Sequence, residues 1–500
     1  MNEKYDQLQT ILTELAHLEK AVGVLGWDRN TKMPKGGAKA RAEVVATLNR
    51  LHHERFTSDE VGKLLEALEP WAADQDADSA ERRTVEYTQW AYERQTKLPA
   101  DFVVERTKKL SAANQAWQTA RQEADYTQFA PHMENVLDIT LRLADFFKPY
   151  DHPYDVLLNQ YERGMSTQQV QTLFDFVRGH QVELIAAIAE QPQVDNSFLH
   201  LHYPIDKQLK AGEEIVRAFG YDFNQGRQDE TTHPFAANLG YGDQRITYRA
   251  DEHFLNPYLF AIMHEAGHAM YEQGIPEALW GGILYRGTSS GVHESQSRLW
   301  ENLVGRSKPF WAWYYPRLQA HFPENLGNVS LDDFYKGVNR VAPSLIRVEA
   351  DEATYNLHIM LRMEIEIALL GGEFTVAELP EVWNERIHKY LGVTPEDDAQ
   401  GVLQDVHWSW GLYGQFPAYA LGNIIGAQFW GHIEKALPDL DAHIAKGDFK
   451  PLHGWLVDNI YQHGRKYPPG ELIERISGER LNGDAYVAYL KNKFGAIYDL

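Results

Sequence analysis

The chain of 500 residues contains no cysteine. A disulfide framework, a thiol nucleophile and a thiolate metal site are therefore excluded, and a reducing compartment fits the composition. Long apolar runs are missing as well. No window approaches the roughly 18 consecutive apolar residues of a membrane span. The first twenty residues, charged throughout, lack the unbroken apolar stretch of a secretion signal. A cytoplasmic protein is expected. Positive charge is in deficit: 48 Lys and Arg against 71 Asp and Glu leave a net charge of −23. Such a chain is not expected to bind nucleic acid or anionic lipid through bulk charge. Alternating strand patterns are scarce, and no repeat, low-complexity tract or Pro/Gly/Ser linker divides the sequence.

What remains is ordinary globular composition, 44% hydrophobic and 24% charged. At about 150 residues per domain the length allows three domains, but one large helical body absorbs such a chain equally well. The dominant apolar period is helical. Leu8, Ile11, Leu12, Leu15 and Leu18 form one stripe, and similar stripes recur in Glu43–Leu51, Val61–Leu68, Phe102–Leu110, Met133–Phe147, Val170–Ile188, Gly212–Phe219, Tyr355–Leu370 and Phe429–Ile444. The best strand is Gln244–Arg249, which can offer edge backbone groups to an extended peptide or form a simple two-stranded ribbon. Between about residues 220 and 300 the sequence turns rich in Gly, His and aromatic residues, the composition of a loop-built site. The expected fold is mainly α, with its chemistry in the second half. The aromatic run Trp311–Tyr315 is assigned to the core.

Residues 264–268 read His-Glu-Ala-Gly-His. A helix here is predicted independently: Asn256 suits an N-cap, Pro257 the first helical position, and Gly274 and Pro276 supply stop signals. His264 and His268 then lie one turn apart on one face, a spacing at which two imidazoles hold one metal ion, with Glu265 in reach of a water beside it. The alternative is a helix carrying two surface or core histidines. A catalytic zinc needs a third protein ligand, and no third histidine follows closely. Residues 289–305 read as a second helix, opened by serine and closed by Gly305, and offer Glu294, with Glu301 as its competitor. Spacing favours Glu294.

Further motifs stand in a fixed order around this one: His233-Pro234-Phe235, Asp243-Gln244-Arg245-Ile246-Thr247, His293-Glu294-Ser295-Gln296, Ile346-Arg347-Val348-Glu349-Ala350-Asp351 and Gly401-Val402-Leu403-Gln404-Asp405-Val406-His407-Trp408, preceded by Trp27-Asp28, Met33-Pro34 and Gly36-Gly37-Ala38. In these the sequence resembles the thermostable carboxypeptidase (carboxypeptidase Taq) family of zinc metallopeptidases over residues 27 to about 425. The resemblance implies a large helical body with a deep groove and a small β-ribbon beside the zinc helix. The expectation is a single domain over residues 1–500, with an N-terminal lobe (1–190) above the groove and a catalytic half (191–500). It further implies a homodimer, one zinc ion per chain with cobalt able to substitute, and Glu294 as third ligand. The implied activity is removal of C-terminal residues from peptides with broad specificity, proline disfavoured. After His407 the family commonly reads Gly-Tyr-Phe-Pro-Thr-Tyr. Here Gln415 and Ala418 replace the tyrosine and the threonine, Tyr419 is retained, and Tyr413 is a partial substitute.

Roles follow from residue chemistry. Glu265 is the expected general base and acid. By resemblance, Tyr419 and His407 are candidate donors to the oxyanion, against the alternatives of a buried structural tyrosine and a core histidine. Arg347 suits the substrate's terminal carboxylate because its planar fork pairs two oxygens; the alternative is an internal salt bridge to Glu349 or Asp351. Arg245 and His233 are further candidate substrate contacts, against structural and loop-stabilising roles. Asp351 is a candidate for orienting a ligand imidazole. An oligo-endopeptidase or dipeptidyl carboxypeptidase on the same architecture, and a non-enzymatic helical scaffold, are the competing functions.

Overall fold

Local sequence signals set the helices. Asn2 and Ser58 cap the first and third helices by accepting the backbone N–H groups of Lys4 and Val61. The computed structural model describes residues 2–500 and is 68% helical with one three-stranded sheet. Four N-terminal helices, α1 (Glu3–Thr31), α2 (Ala38–Phe56), α3 (Asp59–Ala73) and α4 (Ala80–Thr96), enclose a small core of their own around Leu8, Leu12, Val61 and Leu68. The helices from Ala100 onward, including the other part of the expected 1–190 lobe, pack into one large core that runs to the C-terminus. Among the described residues no helix is long and apolar enough to cross a membrane.

Two sequence expectations are corrected. The stripe Phe429–Ile444 is not one helix: a helix ends at Ala436 and a short one begins at Leu440. Pro438 lies between them and cannot continue a helix. The stripe of α2 does not face a core either, since Val44 and Leu51 are 49% and 42% exposed. Trp311, Tyr314 and Tyr315 are buried, as expected.

The sheet comprises β1 (Gln228–Glu230), β2 (Ala236–Gly240) and β3 (Asp243–Tyr248) in the order β1-β3-β2. β3 pairs parallel with β1 (Gln228 opposite Ile246) and antiparallel with β2 (Ala236 opposite Ile246). The strand expected to offer a free edge is thus the central one. Its backbone groups are taken on both sides, and the outer strands are β1 and β2, the latter with its Asn238 carbonyl accepting from Lys20 of α1. β3 packs against the helix that follows, with Ile246 fully buried, while the buried Thr247 hydroxyl bonds to the Phe235 backbone.

Candidate metal centre

Three helices meet at the site. The histidine helix spans Asn256–Gln273, with Pro257 in its first turn and the chain breaking away at Gly274. Asn256 does not cap it; its Oδ1 is buried without a partner. The glutamate helix spans Ser290–Arg298 and is capped by Ser289, whose hydroxyl accepts from the Val292 N–H. It runs on as a π-helical turn, Leu299–Val304, that ends at Gly305. The tyrosine helix spans Phe416–Ala436.

Two glycines let these backbones close. A Cβ on Gly267 would lie 2.7 Å from the Gln296 carbonyl oxygen, and one on Gly422 would lie 2.4 Å from Glu294 Cγ. The glutamate helix is therefore held between the other two at backbone contact. Glu294 faces the pair of histidines, and Tyr419 is carried one turn before the point of contact.

Donor atoms of His264, His268 and Glu294 all lie within 4.8 Å of one another. Glu294 Oε2 is 3.8 Å from His264 Nε2 and 3.5 Å from His268 Nε2. Ligands about 2.1 Å from a tetrahedral ion sit about 3.4 Å apart, so a small divalent metal fits this set. The outer nitrogens fix the tautomers. His264 Nδ1 lies 2.9 Å from Glu301 Oε2 and donates to it. His268 Nδ1 lies 2.6 Å from His293 Nδ1, whose ring passes on to Glu272 through Nε2 at 2.9 Å. Both Nε2 atoms are then left as acceptors, the state a metal ligand needs. Glu301, the competitor for third ligand, orients a ligand instead. Asp351 does not orient one: its carboxylate accepts the N–H groups of Ala342, Ala353 and Thr354 and organises its own loop.

Charge tuning supports the same picture. Burial disfavours ionised Glu294, but Arg298, with Nε 2.8 Å from Oε1, and the two imidazoles hold it far below the usual carboxylate range. Burial lowers His268 to about 4, whereas at His264 the pull of Glu294 and Glu301 outweighs burial and raises it. Burial pushes Glu265 up to about 7 against the pull of His264, leaving a carboxylate able to take and return a proton near neutrality.

Arg347 and Arg362 converge on one buried carboxylate. Arg347 reaches Asp405 Oδ1 at 2.8 Å and Arg362 reaches Oδ2 at 2.6 Å. The internal salt bridge of Arg347 is thus with Asp405, not with Glu349 or Asp351. Its guanidinium lies 5.3 Å above the Tyr419 ring. His407 Nε2 is 3.2 Å from the Tyr419 hydroxyl, and Gln415 Nε2 donates to the same hydroxyl at 3.4 Å. Tyr413 cannot stand in for a missing tyrosine, since it is buried with its hydroxyl on Met133 Sδ. Arg245 is paired with Asp243 at 2.7 Å and stacked 4.4 Å over Trp27 of α1. His233 is exposed on the loop between β1 and β2.

A family profile described as carboxypeptidase Taq (M32) metallopeptidase matches residues 7–494. The chain belongs to that family. Thermostable carboxypeptidase 1 of Thermus thermophilus is 41% identical across 99% of both chains, and carboxypeptidase 1 of Bacillus subtilis is 38% identical across 98% of this chain and 97% of its own. The crystal structure of an M32 carboxypeptidase from Deinococcus radiodurans R1 superposes with a TM-score of 0.97 at 41% identity, each chain covered completely. The M32 carboxypeptidases are metal-dependent hydrolases, and the His264, His268 and Glu294 cluster is where this member can hold a metal.

Several residues around the candidate metal centre escaped the sequence reading. Arg298 had a signal, its helical i,i+4 spacing from Glu294. Asp405 stood inside a quoted motif without a role. His293 likewise stood inside a quoted motif without a role, while Arg362 and Glu272 had no local signal, because only the tertiary fold brings them to their partners.

Proposed function

We propose that this protein is a zinc-dependent carboxypeptidase that removes single C-terminal residues from peptides with broad specificity, proline disfavoured. The observation that carries the proposal is the convergence of the His264, His268 and Glu294 donor atoms within 4.8 Å of one another beside a buried glutamate, Glu265. Zinc bound there would supply Lewis acidity and an acidified water, with cobalt a plausible replacement.

The protein's own groups supply the rest. Glu265 accepts a proton from the attacking water and returns it to the leaving amine. The Tyr419 hydroxyl, kept protonated by burial, donates to the developing oxyanion. Neutral His407, lowered to about 4 by burial, orients that hydroxyl. Arg347 offers N–H groups not used by Asp405 to the substrate's terminal carboxylate, since a guanidinium carries five donors. His233, exposed just before β2, is our candidate contact to substrate backbone. Arg245 we read as the anchor of α1 to the sheet.

A homodimer and a cytoplasmic setting complete the reading. Exposed Val44 and Leu51 offer apolar surface for a dimer, and the cysteine-free composition suits a reducing compartment. Light scattering tests the dimer.

The deciding experiment follows product masses from peptides with free or amidated C-termini, with and without a chelator. Stepwise loss of single residues from the free peptide alone, abolished by chelation and restored by zinc, is expected. Equal cleavage of the amidated peptide rejects the exopeptidase reading and leaves the oligo-endopeptidase. Glu265→Gln should retain zinc and lose turnover, and Arg347→Ala should raise KM for free-carboxylate substrates.

A further inference from the structure

Two joined cavities lie beside the metal centre on its His293 side. The nearer, of about 370 Å³, is walled by His293, Glu272 and Asn238; the farther, of about 620 Å³, lies between the N-terminal helices and the main body. Both are lined by Tyr87, Trp90, Gln160, Arg286 and Arg465. Charge in the farther cavity is one-sided: Lys20, Arg94, Arg106, Arg286 and Arg465 face a single carboxylate, Glu19. Glu19 is taken by Arg286, and Lys20 donates to Asn238.

The other three arginines find no carboxylate within 4.0 Å among the described residues. Arg94 donates to the Val156 carbonyl at 3.0 Å and Arg465 to that of Gly287 at 3.3 Å. Aromatic faces hold two of the guanidiniums instead. Arg94 lies 5.5 Å over Trp90, and Arg465 lies 5.0 Å over Tyr87. Burial lowers the pKa of both Arg94 and Arg106, so the fold bears a desolvation cost here. With 71 carboxylates against 48 Lys and Arg in the chain, this cavity runs against the protein's own composition.

The direction of the groove gives the cavity a use. Arg347 lies on the Glu294 and Arg298 side of the centre, through Tyr355, 3.3 Å from Arg347 Nη1 and stacked under Arg298. The cavities open on the His268 and His293 side. A peptide with its terminal carboxylate at Arg347 therefore carries its N-terminal part past His293 toward the arginines. Gly287, whose carbonyl Arg465 holds, packs against the His293 ring. At about 3.3 Å per extended residue, side chains roughly three or more residues before the cut reach the cluster.

We propose that this arginine and aromatic cavity is a subsite for acidic side chains N-terminal to the scissile bond, so that the enzyme selects peptides by upstream Asp and Glu; this rests on the carboxypeptidase reading above. The test uses the zinc-loaded enzyme and paired octapeptides with free C-termini. Each pair carries Glu or Gln at the third to sixth positions before the cut, and a blocked dipeptide too short to reach the cavity is included. The expected result is a Glu-over-Gln ratio in kcat/KM of about tenfold, arising in KM and shrinking at high salt. The ratio falls toward one in Arg94→Gln, Arg106→Gln and Arg465→Gln. Taking ratios within each variant removes differences in active fraction. As an arm free of mutation, a blocked and amidated oligoglutamate should inhibit the wild type competitively while oligoglutamine does not. A wild-type ratio near one, or a ratio untouched by all three substitutions, overturns the subsite while cleavage of the dipeptide upholds the carboxypeptidase. Failure to release C-terminal residues from any substrate sinks both.

Discussion

At one end of the groove Arg347 and Arg362 share the carboxylate of Asp405, and Arg298 is bound to Glu294 and Glu301. At the other end Arg94 and Arg465 rest on rings and carbonyls, and Arg106 lines the same cavity with no carboxylate beside it. The same residue type is used in two ways. Paired guanidiniums are fixed in place and hold their partners ionised; burial disfavours charge on Asp405, yet the two arginines keep it far below the usual range. Unpaired guanidiniums keep their capacity to bind an anion that arrives from outside, at some cost in desolvation. The paired end should therefore be fragile toward loss of one partner, and the unpaired end tolerant.

The largest effect is expected for Asp405→Asn. It leaves Arg347 and Arg362 buried without a counter-charge, a loss of roughly 3–5 kcal/mol, read by denaturant unfolding. A change below about 1 kcal/mol would erase the contrast. Next comes acid. The folded-state pKa of His407 is lowered to about 4 by burial, with Arg347 assisting. Its contribution is complete above its ordinary value near 6.5 and is lost as pH falls toward 4, roughly 3 kcal/mol in all. His407→Gln should flatten the stability profile across that window; an unchanged profile would place the titration elsewhere. Arg298→Gln should weaken zinc binding about 10- to 100-fold, the usual effect of removing a partner behind a ligand, as competition with a chromogenic chelator would show. The smallest effect belongs to Arg94→Gln, expected within about 0.5 kcal/mol of wild type. A loss as large as that of Asp405→Asn would mean that the two ends are alike.

Much of this was legible in the sequence where the signal is local. The histidine helix follows from its apolar period, Pro257 and the break at Gly274, and the second helix from Ser289 and Gly305. Glu294 was favoured over Glu301 by spacing, and the structure brings Glu294 to both Nε2 atoms. Partnerships between distant segments were not legible. No period links Arg362 to Asp405, or Glu272 to His293, because their proximity depends on how helices pack rather than on any one helix. Gln244–Arg249 read correctly as extended but wrongly as an edge. β1 is only three residues long and has no alternating pattern of its own. The stripe on α2 shows the opposite failure, a helical period whose apolar face meets no core.

The bare positions at Gly267 and Gly422 have one more consequence. With three main chains touching there, the spacing of the ligands is set by backbones that belong entirely to the large core. The four N-terminal helices rest on a separate core. A tilt of those helices would reshape the cavity between them and the main body, while the spacing of His264, His268 and Glu294 stays as it was.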